Sequence, residues 1–135
     1  MLNKTISVII GIWWLALSSQ GFAAQEEHSR CMAASGGVTA AMLDCIGVAL
    51  DSAETELTSV EDRSVQSGNA ELTAKLGAAQ ADWLAYRDST CAAEAAAAGS
   101  GSFSNVALLD CRLRITWERL QWLESLLANP DNFEE

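Results

Sequence analysis

Proline occurs once in the chain, at Pro130, so no pyrrolidine ring interrupts a helix through the body of the protein. β-Branched and aromatic residues are few and alanine is abundant, which favours helix over strand. Histidine also occurs once, as His28 in a polar lead-in, where a solvated bystander is the ordinary reading. A single imidazole supplies neither a histidine metal site nor a confident Ser-His-Asp or Cys-His set. Basic side chains number 8 against 18 acidic ones, a net charge of -10 that repels nucleic acid and anionic membrane surfaces. The natural electrostatic partner is therefore basic. No two cysteines lie two to four residues apart, as zinc sites usually require. Gly99-Ser100-Gly101 has no following lysine and no preceding strand, so it is not a phosphate-cradling loop. At 135 residues there is no room for two domains and a catalytic cleft between them. The carboxylates fall mostly on expected solvent faces, where they serve solubility. The chain reads as a non-enzyme without cofactor or metal.

Half of the residues are hydrophobic, too many for a disordered chain. Part of that fraction belongs to the start, where Lys4 precedes an apolar run from Ile6 to Leu17 and then small residues. This is the pattern of a secretory signal peptide, and its apolar core is shorter than the ~20 residues of a spanning helix. Cleavage after Ala23 sets Gly21 and Ala23 at the small-residue positions, giving a leader over 1–23 and a mature domain over 24–135. Cleavage after Ala24 is the neighbouring option. No cysteine stands at that point to carry a lipid. Cys31, Cys45, Cys91 and Cys111 all survive processing, and an even count in a short exported chain implies two disulfides.

Three helices are legible. Met42, Ile46, Leu50, Ala53, Leu57 and Val60 recur on one face from Thr39 to about Arg63. Leu72, Leu76, Ala79, Trp83, Tyr86 and Thr90 do so after Asn69, a candidate N-cap. Val106, Leu109, Leu113, Thr116, Leu120, Leu123 and Leu127 form the third stripe, which stops at Asn129-Pro130, with Ser104 as its candidate cap and an acidic tail beyond. Short loops joining such helices predict an all-α, disulfide-braced antiparallel three-helix bundle. In that arrangement the cysteines gather toward one end, and geometry leaves all three pairings open. We select Cys31–Cys45 and Cys91–Cys111, because each closes a short loop containing a glycine segment.

Gln80, Trp83, Arg87 and Cys91 occupy adjoining positions on one side of the second helix. An indole beside a guanidinium near a cystine suits a packed cluster, with Arg87 and Arg119 as structural anchors. Arg119 would need a carboxylate or carbonyl. The run Gln80-x2-Trp83-x2-Tyr86-Arg87-x3-Cys91, a Gly/Ser loop, and Cys111-x4-Thr116-x2-Arg119-x3-Leu123 resembles the lysozyme inhibitor LprI-like N-terminal domain family. Met42-x2-Cys45 after Cys31 is similar too, so the likeness runs from Cys31 to Leu123. It departs at Leu43, Thr58 and Glu61, where other residue types are usual. The resemblance implies an exported, cysteine-braced helical fold and inhibition of a basic lysozyme-type hydrolase. Its motif reads as a fold signature and does not mark inhibitory residues. The segment shaped for a partner is Gly99, Ser100, Gly101, Ser102 and Phe103, presented between two helices. A structural or interaction module of the envelope is the alternative function, and a carboxylate-using hydrolase a distant third.

Overall fold

The computed structural model describes residues 20–128. Residues 1–19, which hold most of the expected leader, and the acidic tail from Asp131 lie outside the described residues. Four helices follow in order: α1 Gln20–Ala34, α2 Thr39–Gln66, α3 Ala70–Ala97 and α4 Phe103–Leu127. Helix is the only regular secondary structure among the described residues.

The expected three-helix bundle is therefore corrected to four helices. The stretch taken as a polar lead-in, with the end of the expected leader, is helical as α1. Its sequence has no strong apolar stripe, the signal on which the other three were found. Alanine, glutamine and glutamate still favour helix locally, and tertiary contacts hold it. Cys31 of α1 is bonded to Cys45 of α2, and Met32 packs on the main core. His28 is not a solvated bystander: it is half-buried, its ring edge-on to Trp117 of α4 at 5.5 Å.

All three turns between helices use one device. Gly36, Gly68 and Gly99, each just past a helix end, have φ of 59°, 77° and 96°. That left-handed conformation closes a helix C-terminus and is open to glycine at no steric cost. The turns reverse the chain each time, so successive helices run antiparallel while α2 and α4 run parallel. Asn69 caps α3 as expected, its Oδ1 accepting from the Leu72 amide at 2.9 Å. Ser104 does not cap α4. The helix already begins at Phe103, and the Ser104 hydroxyl donates back to the Gly101 carbonyl at 2.8 Å.

The main core is built by α2 and α4. Ile46, Leu50, Ala53, Leu57 and Val60 interleave with Val106, Leu113, Leu120 and Leu123. At roughly 1.5–3 kcal/mol per buried aliphatic side chain, this seam carries most of the hydrophobic stabilisation. Helix α3 lies against α4 and scarcely meets α2. Its only buried residues are Arg87 and Cys91. Tyr86, placed in the apolar stripe by the sequence, is 59% exposed. The inward face of α3 is the neighbouring one, through Trp83, Arg87 and Cys91. A second, small core of Cys91, Cys111 and Ile115, with Trp83 and Leu108 packed on it, attaches that face to α4.

Candidate functional site

Two clusters and one loop contain the residues singled out by sequence. The first cluster centres on Arg87, which is 8% exposed. Its Nη1 donates to Glu54 Oε1 of α2 at 2.9 Å and to the buried Thr116 Oγ1 of α4 at 3.2 Å. Its Nε donates to Asp88 Oδ1 at 3.4 Å, and Arg112 Nε of α4 stands 3.4 Å from that same oxygen. The guanidinium also lies over the Trp83 ring, 5.0 Å from its centroid. One side chain on α3 thus reaches α2 and α4 together. A charge so enclosed needs such partners, since leaving it unpaired would cost several kcal/mol.

The second cluster lies beside the first, toward the N-terminus of α3, and shares Trp83 with it. Arg119 Nε donates to Gln80 Oε1 at 3.2 Å, while its guanidinium sits 4.6 Å from the Trp122 ring centroid and 5.7 Å from that of Trp83. The expected partner is a carbonyl, that of the Gln80 side-chain amide, aided by two indole faces. Glu61 acts on Arg119 through space: burial lowers the Arg119 pKa and the nearby carboxylate opposes that shift. Glu61 itself is raised above the usual carboxylate range, first by burial, with Arg119 pulling it down and Asp62 pushing it up. Its Oε1 is enclosed without a hydrogen-bond partner. Leu123, the last residue of the motif, belongs to the main core.

Gln80, Trp83, Arg87, Thr116 and Arg119 are therefore one continuous seam between α3 and α4. Tyr86 is outside it, on the solvent side. Sequence reasoning missed Glu54, Asp88 and Arg112 as partners of this seam. Glu54 stands 33 positions from Arg87, so no local spacing could have selected it from the other carboxylates on its face. The polar atoms of the seam are paired with one another across the helices. Among the described residues no group of three or more His, Cys, Asp or Glu could hold a metal ion. No helix there is long and apolar enough to cross a membrane.

The loop from Ala98 to Ser102 is exposed throughout, and Phe103, the first residue of α4, is 57% exposed. Ser100 and Ser102 make no side-chain hydrogen bond among the described residues, whereas Ser104 is engaged with Gly101. Cys91–Cys111 joins α3 and α4 below this loop, and Cys31–Cys45 joins α1 and α2 at the same end of the bundle. The Arg114–Glu94 pair, 2.8 Å, spans α4 and α3 near it.

Residues 31–123 match the family described as "Lysozyme inhibitor LprI". The matched span begins at the first half-cystine and ends at Leu123, so it takes in both disulfides and the whole α3–α4 seam. No curated protein and no solved structure matches the chain.

Proposed function

The chain belongs to the lysozyme inhibitor LprI family, and on that premise we propose that it is an exported acidic binding protein that inhibits a basic lysozyme-type cell-wall hydrolase. The observation that carries this reading is the family match across both cystines. Charge supports it independently, because 18 acidic against 8 basic side chains favour a cationic target. The leader-like start supports export.

A lysozyme cleft holds two carboxylates that need open access to a polysaccharide. A small rigid protrusion blocks such a cleft at low ordering cost. In this reading the protrusion is Gly99 to Phe103, braced by Cys91–Cys111. Ser100 and Ser102 donate hydrogen bonds to the cleft carboxylates, and Phe103 supplies an apolar anchor. Turnover of a cell-wall substrate by a purified cationic lysozyme, followed at low salt with increasing protein, tests the proposal. Inhibition at or below micromolar protein is expected. Undiminished turnover at micromolar excess removes lysozyme as the target and returns the chain to an interaction module of the envelope.

A further inference from the structure

At the end of the bundle that carries both cystines, a groove of about 460 Å³ opens between the α1–α2 pair and the α3–α4 pair. Its larger apolar lining residues are Met32, Met42, Phe103 and Val106, with Ala97 and Ala107 between them, and Glu94 and Asp110 are its acidic members. The four chain segments that line it are each tethered: Met32 follows Cys31, Met42 precedes Cys45 by one turn, Glu94 follows Cys91 by one turn, and Asp110 precedes Cys111. Each wall is therefore braced by a cystine within its own helix pair. The lining itself is adaptable on one wall, because Met32 and Met42 are methionines, which repack around different shapes. Glu94 is already paired with Arg114 at 2.8 Å. Asp110 has no ion-pair or hydrogen-bond partner among the described residues and is exposed.

We propose that this groove docks a segment of a cationic protein in which an apolar side chain is flanked by lysine or arginine. The apolar side chain enters between Met32 and Met42, over Val106, and the flanking cation meets Asp110, which leaves Phe103 at the rim for the loop's contact. Charge complementarity selects this occupant. A neutral or acidic apolar segment would leave Asp110 facing no counter-charge or a like one, in a chain whose net charge is already -10. The proposal rests on the reading of the chain as a binder of a basic hydrolase, and it adds a surface beside the α3–α4 loop that grips the enzyme while the loop meets its cleft.

The chain holds three methionines, and Met32 and Met42 are both in the groove. Methyl-labelled methionine in the full chain is therefore a probe of this site with Met1 as the one other signal. Titration with a short peptide carrying a leucine between lysines should shift the Met32 and Met42 methyl resonances saturably, with the response weakening as salt rises. The same peptide with glutamates in place of lysines should not shift them. Asp110→Lys should weaken the response about tenfold, the loss of one well-placed rim ion pair. Asp82→Lys, an equal change in net charge at an exposed site on the other half of α3, should weaken it far less. Silent methyls, equal response to both peptides, or equal effects of the two substitutions would overturn the proposal. Lysozyme turnover, measured in parallel, separates the two readings. Inhibition with silent methyls keeps the function and discards the groove, whereas salt-sensitive methyl shifts without inhibition keep the groove and change the target.

Discussion

Trp83 and Arg87, one turn apart on α3, form a stacked pair, with the guanidinium carbon 5.0 Å from the ring centroid. Around that pair α3 has almost no aliphatic core of its own, since its only buried residues are Arg87 and Cys91. The helix is attached to the α2–α4 seam by an indole, a guanidinium, a cystine and the half-buried Leu76. Its stability should therefore respond to single changes more sharply than that of α2 or α4.

Trp83→Ala should lower unfolding free energy by about 3 kcal/mol, the low end for truncating a buried aromatic, since Trp83 is half-buried. Trp83→Phe keeps much of the packing and should cost about 1 kcal/mol. Denaturant melts of the three proteins decide this. A Trp83→Ala variant that melts like the parent but loses its partner would make this face a binding surface instead of an anchor.

The two bridges should be reduced in order. Cys31 is exposed, whereas Cys91 and Cys111 are 0% and 1% exposed. Thiolate attack needs access to sulfur, so graded reductant with alkylation and mass analysis should open Cys31–Cys45 first. Replacing Cys91 and Cys111 together by alanine should cost about 3 kcal/mol on the loop-entropy account. Simultaneous opening of both bridges at every reductant concentration would contradict the accessibility argument.

Glu61 gives stability a pH dependence of definite sign. Burial, the largest influence, holds its folded pKa above the unfolded value even though Arg119 opposes it. The folded state therefore keeps this proton to higher pH than the unfolded chain does. The contribution is complete below the ordinary carboxylate value and is lost as pH rises through the folded value. Glu61→Gln removes that titration. The variant should match the parent near pH ~3 and equal or exceed it near pH ~7, where an unfolded glutamate is ionised. A variant less stable than the parent at neutral pH alone would show that the charge on Glu61 is favourable through Arg119.

Replacing Ser100, Ser102 and Phe103 together by alanine should weaken lysozyme inhibition by roughly 2 kcal/mol or more, the size of a lost central anchor. The melting temperature should barely move, because all three are exposed. Inhibition that survives the triple change keeps the function and removes the loop as its cause. Association of the parent should slow as salt screens the acidic surface, a trend that stopped-flow measurement at several ionic strengths would read directly.

The sequence by itself determined the helices of the body, because α2 and α4 repeat apolar residues at the helical period and bury that same face. It also determined where they stop, since glycine beyond a helix end and Asn69 before the next are local signals. Membership of an exported inhibitor family was legible in the spacing of Trp83, Arg87, Cys91, Cys111 and Arg119, residues close together along two helices. Only the tertiary structure decided that α1 is a helix, because its local propensity is modest and its retention depends on Cys45 and Trp117, 14 and 89 positions from their partners Cys31 and His28. The sequence placed both Arg87 and its neighbour Tyr86 on packed faces, and only the tertiary structure decided that Tyr86 faces outward: a rotation of one position about the helix axis suffices to exchange them. Arg87 wins because Glu54, Thr116 and Asp88 together satisfy its charge. The methionine groove was invisible for the same physical reason. Its lining comes from four segments that no periodicity relates, brought together when two cystines and one core close the same end of the bundle.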